Sequence, residues 1–135
     1  MAWHLRCAYR TAPERTMGWI SSGWTDNQYM TVDSNKENAL AIDYPLYASG
    51  GATYIKASDH DWYGGADGGD EGGDARWRFW NRARQIVWDS AGSTTSTISL
   101  QGLPNIKLCQ PATDKRWANW SSSQETTLLL TWEEW

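Results

Sequence analysis

Short segments in which apolar and polar residues alternate occupy most of this chain. They constrain its fold more than any other feature of the sequence. Turn-forming residues such as Ser22-Gly23, Ala91-Gly-Ser93 and Gly102-Leu-Pro104 separate the segments. Alternation with a period of two is typical of strands with one buried face, and many closely spaced short strands are typical of antiparallel sandwiches. We expect strands at 3–9, 28–33, 39–44, 53–57, 76–80, 85–88, 96–100, 105–109 and 126–132.

These segments predict an all-β fold, a single-domain antiparallel β-sandwich over residues 1–135. A β-trefoil is the alternative, because a similar string occurs three times: Ile20-Ser-Ser-Gly23, Tyr47-Ala-Ser-Gly50 and Ser99-Leu-Gln-Gly102. The glycines are unevenly spaced, however, and the hairpins of any sandwich produce such strings. We therefore prefer the sandwich.

Length and composition narrow the class of protein. The chain has 135 residues, of which 40% are hydrophobic and 21% charged, as in an ordinary globular domain. A net charge of −4 argues against a nucleic-acid binder. No apolar run approaches the roughly 20 residues of a membrane helix, and residues 1–10 lack the apolar centre of a signal peptide. We expect a soluble protein.

Tryptophan is greatly over-represented. The chain contains eleven tryptophans and a single phenylalanine. Leucine, isoleucine or phenylalanine would fill a core equally well. Tryptophan instead combines a large apolar face with an N–H that needs a polar partner, which suits wet interfaces and membrane boundaries. We therefore expect surface tryptophans to contact the target of this protein.

The stretch 58–74 is the least regular part of the chain, with six acidic residues and six glycines. It is predicted to be an exposed loop, and such loops often carry function on rigid β scaffolds. A purely solvated loop is the preferred interpretation, and Asp59, Asp61, Trp62 and Tyr63 are the candidate residues if the loop binds a ligand. The acidic spacing does not match an EF-hand, so no metal is expected.

The residues of common catalytic motifs are sparse. His4 and His60 are the only histidines, and neither belongs to a metal-ligand spacing or accompanies a nucleophile motif. Cys7 and Cys109 are too few for a disulfide framework or a structural zinc site. They are either two buried thiols or one bridge. We expect no enzyme activity, no catalytic residues and no cofactor.

One stretch resembles a known family. Arg84-Gln-Ile-Val-Trp-Asp-Ser-Ala-Gly-Ser93, followed by a hairpin over 96–109, is similar to the aegerolysins. The acidic loop with Glu71-Gly72 ahead of an aromatic strand, and the positions of Trp3 and Trp24, also fit that family. Two features differ: the turn after Asp89 lacks the family's tryptophan, and Thr94 or Thr95 stands where the family has lysine.

The resemblance implies a protein that binds membrane lipids from outside the cell, typically sphingolipids with or without sterol. It also implies a larger pore-forming partner of the perforin-like class, as in bacterial two-component insecticidal toxins. Trp3, Trp24 and Trp88 would line the lipid-facing end, with Glu71 selecting the headgroup. The alternatives are a core position for Trp88, which ends a strand, and a purely solvated carboxylate at Glu71. The two departures leave that headgroup unspecified. The alternatives are a carbohydrate-binding lectin, with Trp62 and Tyr63 as its platform, and a module that binds only a protein.

Overall fold

The structure is a computed structural model that describes residues 1–22, 30–43, 51–58, 63–66, 75–80, 85–110 and 118–135. Within these ranges the chain forms thirteen strands and a short 3-10 turn at Lys36–Asn38. The strands are β1 (Trp3–Tyr9), β2 (Gly18–Ser22), β3 (Met30–Asp33), β4 (Ala52–Thr53), β5 (Ile55–Lys56), β6 (Tyr63–Ala66), β7 (Ala75–Trp80), β8 (Ile86–Trp88), β9 (Thr95–Ser96), β10 (Ile98–Leu100), β11 (Leu103–Cys109), β12 (Asn119–Ser121) and β13 (Leu128–Glu134).

The strands form two sheets. The first has the order β3-β2-β1-β13-β9, and the second has the order β4-β8-β10-β11-β12-β7-β6-β5. Neighbouring strands pair antiparallel in both sheets. The predicted all-β sandwich is confirmed. The alternative trefoil is wrong, because Ile20 lies in the first sheet and Ser99 in the second.

The core lies between the two sheets and follows the alternation of the strands. In β1, Leu5 and Cys7 face inward and are fully buried. In β13, Leu128 and Leu130 also face inward and are fully buried. Burying a side chain of this size contributes roughly 1.5–3 kcal/mol. The second sheet supplies a matching set of buried side chains, namely Ile86, Trp88, Ile98, Leu100, Leu108 and Trp120.

The two sheets are joined through the backbone at several places, and Thr97 and Ile42 mark two of them. Thr97 separates β9, which pairs with β13 in the first sheet, from β10, which pairs with β8 and β11 in the second. Elsewhere Ile42 forms bridges with Trp3 of β1 and with Ala57, which follows β5. The segment 39–44 was predicted to be a full strand. Its described residues 39–43 instead contain the isolated bridges of Ile42, because this part of the chain crosses from one sheet to the other.

The first sheet has two distinct ends. Trp3 pairs with Glu134 at one end of the β1–β13 pair, and Tyr9 pairs with Leu128 at the other. We call these the Trp3 end and the Tyr9 end. With a rise of about 3.3 Å per residue, the seven residues of β1 place the two ends about 20 Å apart.

Both cysteines are free and buried. Burial raises the pKa of the Cys7 thiol and of the Cys109 thiol above the ordinary value for cysteine. Of the two readings that the sequence left open, the structure shows the pair of buried thiols. In the part of the chain that the structure describes, no helix has the length and apolar character needed to cross a membrane.

Candidate functional site

Trp3, the first of the proposed lipid-binding residues, lies at the start of β1 and is partly exposed. It faces the same side as Leu5, towards the core. Its ring stands edge-on to Trp132, with centroids 6.2 Å apart, and Trp132 contacts Trp88 at 5.8 Å. We call Trp3, Trp88 and Trp132 the inner tryptophan cluster. The structure thus brings together two of the predicted residues, Trp3 and Trp88, through a third tryptophan.

Trp88 is buried, which contradicts the prediction that it is one of the lipid-facing side chains. Only 1% of the residue is exposed. Its Nε1 donates to the Ser93 carbonyl oxygen at 2.8 Å, across a turn in which the Ser93 amide donates to Ser90. Gly92 supplies the positive φ of 84° that this turn requires. Trp88, Gly92 and Ser93 therefore have a structural role in this turn.

A second aromatic group covers the outer side of the first sheet. His4 stacks on Trp135 with ring centroids 3.7 Å apart and planes 12° apart. Trp19 meets Trp135 edge-on at 6.3 Å, and the Lys36 ammonium lies 4.2 Å from the centre of the Trp135 ring. We call His4, Trp19 and Trp135 the outer aromatic stack.

Polar contacts fix the orientation of the outer aromatic stack. The Trp19 Nε1 donates to Glu133 Oε1 at 2.8 Å, and the other Glu133 oxygen lies 3.5 Å from Arg6 Nε. Half-exposed ion pairs of this kind contribute little stability by themselves. Here the hydrogen bond and the ion pair hold one indole in place beside another.

The partly exposed tryptophans are unevenly distributed. Of the six tryptophans whose side chains the structure describes, Trp88, Trp120 and Trp132 are buried. The other three are Trp3 and Trp135, at the Trp3 end, and Trp19, which contacts Trp135. Sequence reasoning selected Trp3 but missed Trp19 and Trp135. Alternation did not identify Trp19, because the serines that follow Ile20 resemble a turn.

The remaining predicted site residues lie in other parts of the chain. Trp24, Glu71, Asp59, Asp61 and Trp62 fall outside the described residues. Tyr63 is the first residue of β6, where its backbone pairs with Trp80.

A polar network on the second sheet centres on Asp89. The Lys107 ammonium lies 2.9 Å from both Asp89 Oδ2 and Ser99 Oγ, and the Ser99 hydroxyl donates to Asp89 Oδ1 at 2.7 Å. A serine beside a lysine also occurs in some hydrolases. Here the serine is 2% exposed and its proton points to a carboxylate, so the network supports the hairpin.

His4 gives the outer aromatic stack a dependence on pH. The residue is 5% exposed, and its Nδ1 is buried without a hydrogen-bond partner. Burial and, secondarily, the nearby Lys36 lower the pKa of His4 below its ordinary value of 6.5, while Glu133 acts in the opposite direction. The unfolded chain therefore binds a proton at a higher pH than the folded chain does.

We expect the free energy of unfolding to fall as the pH is lowered through about 6.5, because protonation of His4 then favours the unfolded state. Urea unfolding at pH 7.5 and pH 5.5 measures the effect. His4→Phe keeps an aromatic ring against Trp135 and should remove much of the difference, whereas His60→Asn reports what the second histidine contributes. An unchanged difference in His4→Phe would contradict the assignment.

Comparison of the chain with protein families, with curated proteins and with solved structures finds no match. Within the described ranges, no group of three or more histidine, cysteine or acidic residues is placed to hold a metal ion. The fold and the aromatic residues define an all-β sandwich in which Trp3 and Trp135 lie at one end and Trp19 contacts Trp135.

Proposed function

We propose that this protein is a non-enzymatic recognition module that binds a lipid membrane through the Trp3 end of its sandwich. The observation that carries the proposal is that the partly exposed tryptophans of the described residues are Trp3 and Trp135, which lie at this end, and Trp19, which contacts Trp135. Tryptophan prefers the boundary between water and the acyl region, because its ring is apolar and its N–H remains hydrated.

The energetics support reversible binding of single molecules. Burying apolar area contributes roughly 25 cal/mol per Å², and an indole buries about 150–250 Å² when fully covered. Two or three partly inserted rings would contribute several kcal/mol before the entropic cost of association. A single molecule would then bind with a dissociation constant on the order of micromolar. Assembly with a partner would strengthen binding through avidity.

The type of lipid follows from charge and from the resemblance to aegerolysins. A net charge of −4 disfavours anionic lipids, which attract basic proteins, and favours neutral or zwitterionic headgroups. The resemblance points to sphingolipids, with or without sterol, and to a perforin-like partner that forms the pore. In this proposal Trp24 and Glu71 complete the lipid-binding surface.

We expect Trp3→Ala to weaken binding to sphingolipid–sterol vesicles at least tenfold, about 1.4 kcal/mol, because it removes a partly exposed indole from the Trp3 end. Sedimentation with vesicles, read together with the shift in tryptophan fluorescence, measures the affinity. Leu129→Ala is the matched control. Leu129 is also partly exposed and lies in the same sheet, but it pairs with Ala8 near the Tyr9 end. It should bind within twofold of wild type.

Thermal unfolding of both variants separates loss of binding from loss of fold. Wild-type affinity in a folded Trp3→Ala variant would overturn the assigned role of Trp3. If the wild-type protein binds no vesicle of any composition but does bind a glycan array, lipid recognition is overturned and the lectin alternative is favoured.

A further inference from the structure

A polar pocket of about 340 Å³ opens at the Tyr9 end, and sequence reasoning did not find it. Its lining residues are Arg10, Asn105, Lys107, Ser122, Gln124 and Thr127. We call it the Arg10 pocket. We propose that it is a second binding site, which holds a small anionic saccharide unit bearing one carboxylate or phosphate group.

The position of the Arg10 pocket separates it from the proposed membrane contact. Arg10 follows the last residue of β1, whereas Trp3 is the first, so the two lie about 20 Å apart. A module that rests on a membrane at its Trp3 end presents the opposite end to the solution. The Arg10 pocket is therefore placed to take a ligand from solution.

The charged residues of the Arg10 pocket determine the sign of the charge that its ligand carries. None of its six lining residues is acidic. Lys107 is already paired with Asp89 at 2.9 Å, which neutralises its charge. Among the described residues, the guanidinium of Arg10 has no hydrogen bond or ion pair. One unpaired cation favours a ligand with a single negative charge, and the planar guanidinium fork matches the two oxygens of a carboxylate or phosphate.

The other polar groups of the Arg10 pocket suit hydroxyl groups. Asn105, Ser122 and Gln124 are exposed, and within the described part of the chain their side chains make no hydrogen bond. Amides both donate and accept, as a sugar hydroxyl does. A volume of about 340 Å³ falls at the small end of the range for ligand pockets and accommodates a single saccharide unit.

Hydrogen bonds of backbone and side-chain groups hold the walls of the Arg10 pocket in place before a ligand arrives. The Arg10 amide donates to the Thr127 carbonyl oxygen at 2.9 Å, and the Thr127 hydroxyl donates to Ser123 at 2.8 Å. The ammonium of Lys107 is fixed by Asp89 and Ser99. Such preorganisation reduces the entropic cost of binding.

The test is isothermal titration of the full chain with glucuronate, glucose 6-phosphate, glucose and inorganic phosphate. We expect the two anionic sugars to bind and glucose to bind at least tenfold more weakly. Arg10→Gln should reduce the affinity for both anionic sugars at least tenfold and leave vesicle binding unchanged. Arg15→Gln is the matched control, since Arg15 is an exposed arginine of the same loop outside the pocket lining.

Failure of both anionic sugars to bind wild-type protein would overturn the proposal, as would equal losses in Arg10→Gln and Arg15→Gln. Inorganic phosphate that binds as tightly as glucose 6-phosphate would overturn the saccharide assignment. None of these results depends on vesicle binding. The proposed pocket can therefore be refuted without refuting the proposed membrane function, and the reverse is also true.

Discussion

Replacing Trp88 with alanine is expected to lower the free energy of unfolding by about 3–5 kcal/mol, the range found when a buried tryptophan or phenylalanine is truncated. Trp88 is 1% exposed, contacts Trp132 at 5.8 Å and donates to Ser93. The substitution opens a cavity and also leaves the Ser93 carbonyl without this donor. Urea unfolding of the purified variant measures the loss.

Trp88→Phe separates the two contributions. It retains most of the apolar volume but not the indole N–H, so we expect it to be destabilised less than Trp88→Ala. If Trp88→Ala unfolds like the wild type but fails to bind vesicles, Trp88 is a lipid-contacting residue and the core assignment is wrong.

Gly18→Ala is expected to cost at least about 3 kcal/mol, above the typical range for overpacking, because the added atom meets rigid backbone. A Cβ atom at position 18 would lie 2.3 Å from the Asp33 carbonyl oxygen and 2.6 Å from its carbon. Gly18 also pairs with Cys7, so β2 is held between β1 and β3 and has little room to shift. Thermal unfolding of the variant gives the size of the effect.

Gly51→Ala is the matched control for this substitution. A Cβ atom at position 51 meets nothing within 4 Å, so the variant should unfold close to the wild-type temperature. A Gly18→Ala variant as stable as Gly51→Ala would show that β2 and β3 separate easily and that their close approach contributes little.

The alternation of apolar and polar residues predicted most of the strands. The predicted 3–9 is β1 in full, because its inward residues lie on one buried face and nothing interrupts the pattern. The strands β2, β6 and β12 were missed, and β6 (Tyr63–Ala66) lies within the stretch 58–74 that was predicted to be a loop. In β2 the serines of Trp19-Ile-Ser-Ser22 resemble a turn, yet Ser21 is buried and its hydroxyl donates to the Asn38 carbonyl oxygen. A contact supplied by a distant segment cannot be found by local pattern.

The prediction was wrong at Pro104, in the hairpin after β10. Gly102-Leu-Pro104 was expected to be a turn, but β11 begins at Leu103 and includes Pro104. The pairing of β10 with β11 changes register between Ser99 and Leu100, and such irregularities tolerate a residue without an amide donor.

The sequence predicted that tryptophans form the candidate site, but only partly which tryptophans those are. An excess of tryptophan indicated aromatic contacts, but it did not distinguish a buried ring from an exposed one. Trp88 and Trp132 are core residues, although nothing local separates them from Trp3. The Arg10 pocket was beyond sequence reasoning, since Arg10 and Lys107 are brought together only by the packing of distant strands.

The passage of the chain between the sheets at Thr97 has a mechanical consequence. A hydrogen-bonded segment that belongs to both layers prevents either layer from peeling away while the other stays intact. The bridges at Ile42 act in the same way at another point. The domain is thus suited to serve as a rigid adaptor that keeps its shape on a target surface. Under the proposed function, the large refolding needed to perforate a bilayer would then fall to the partner.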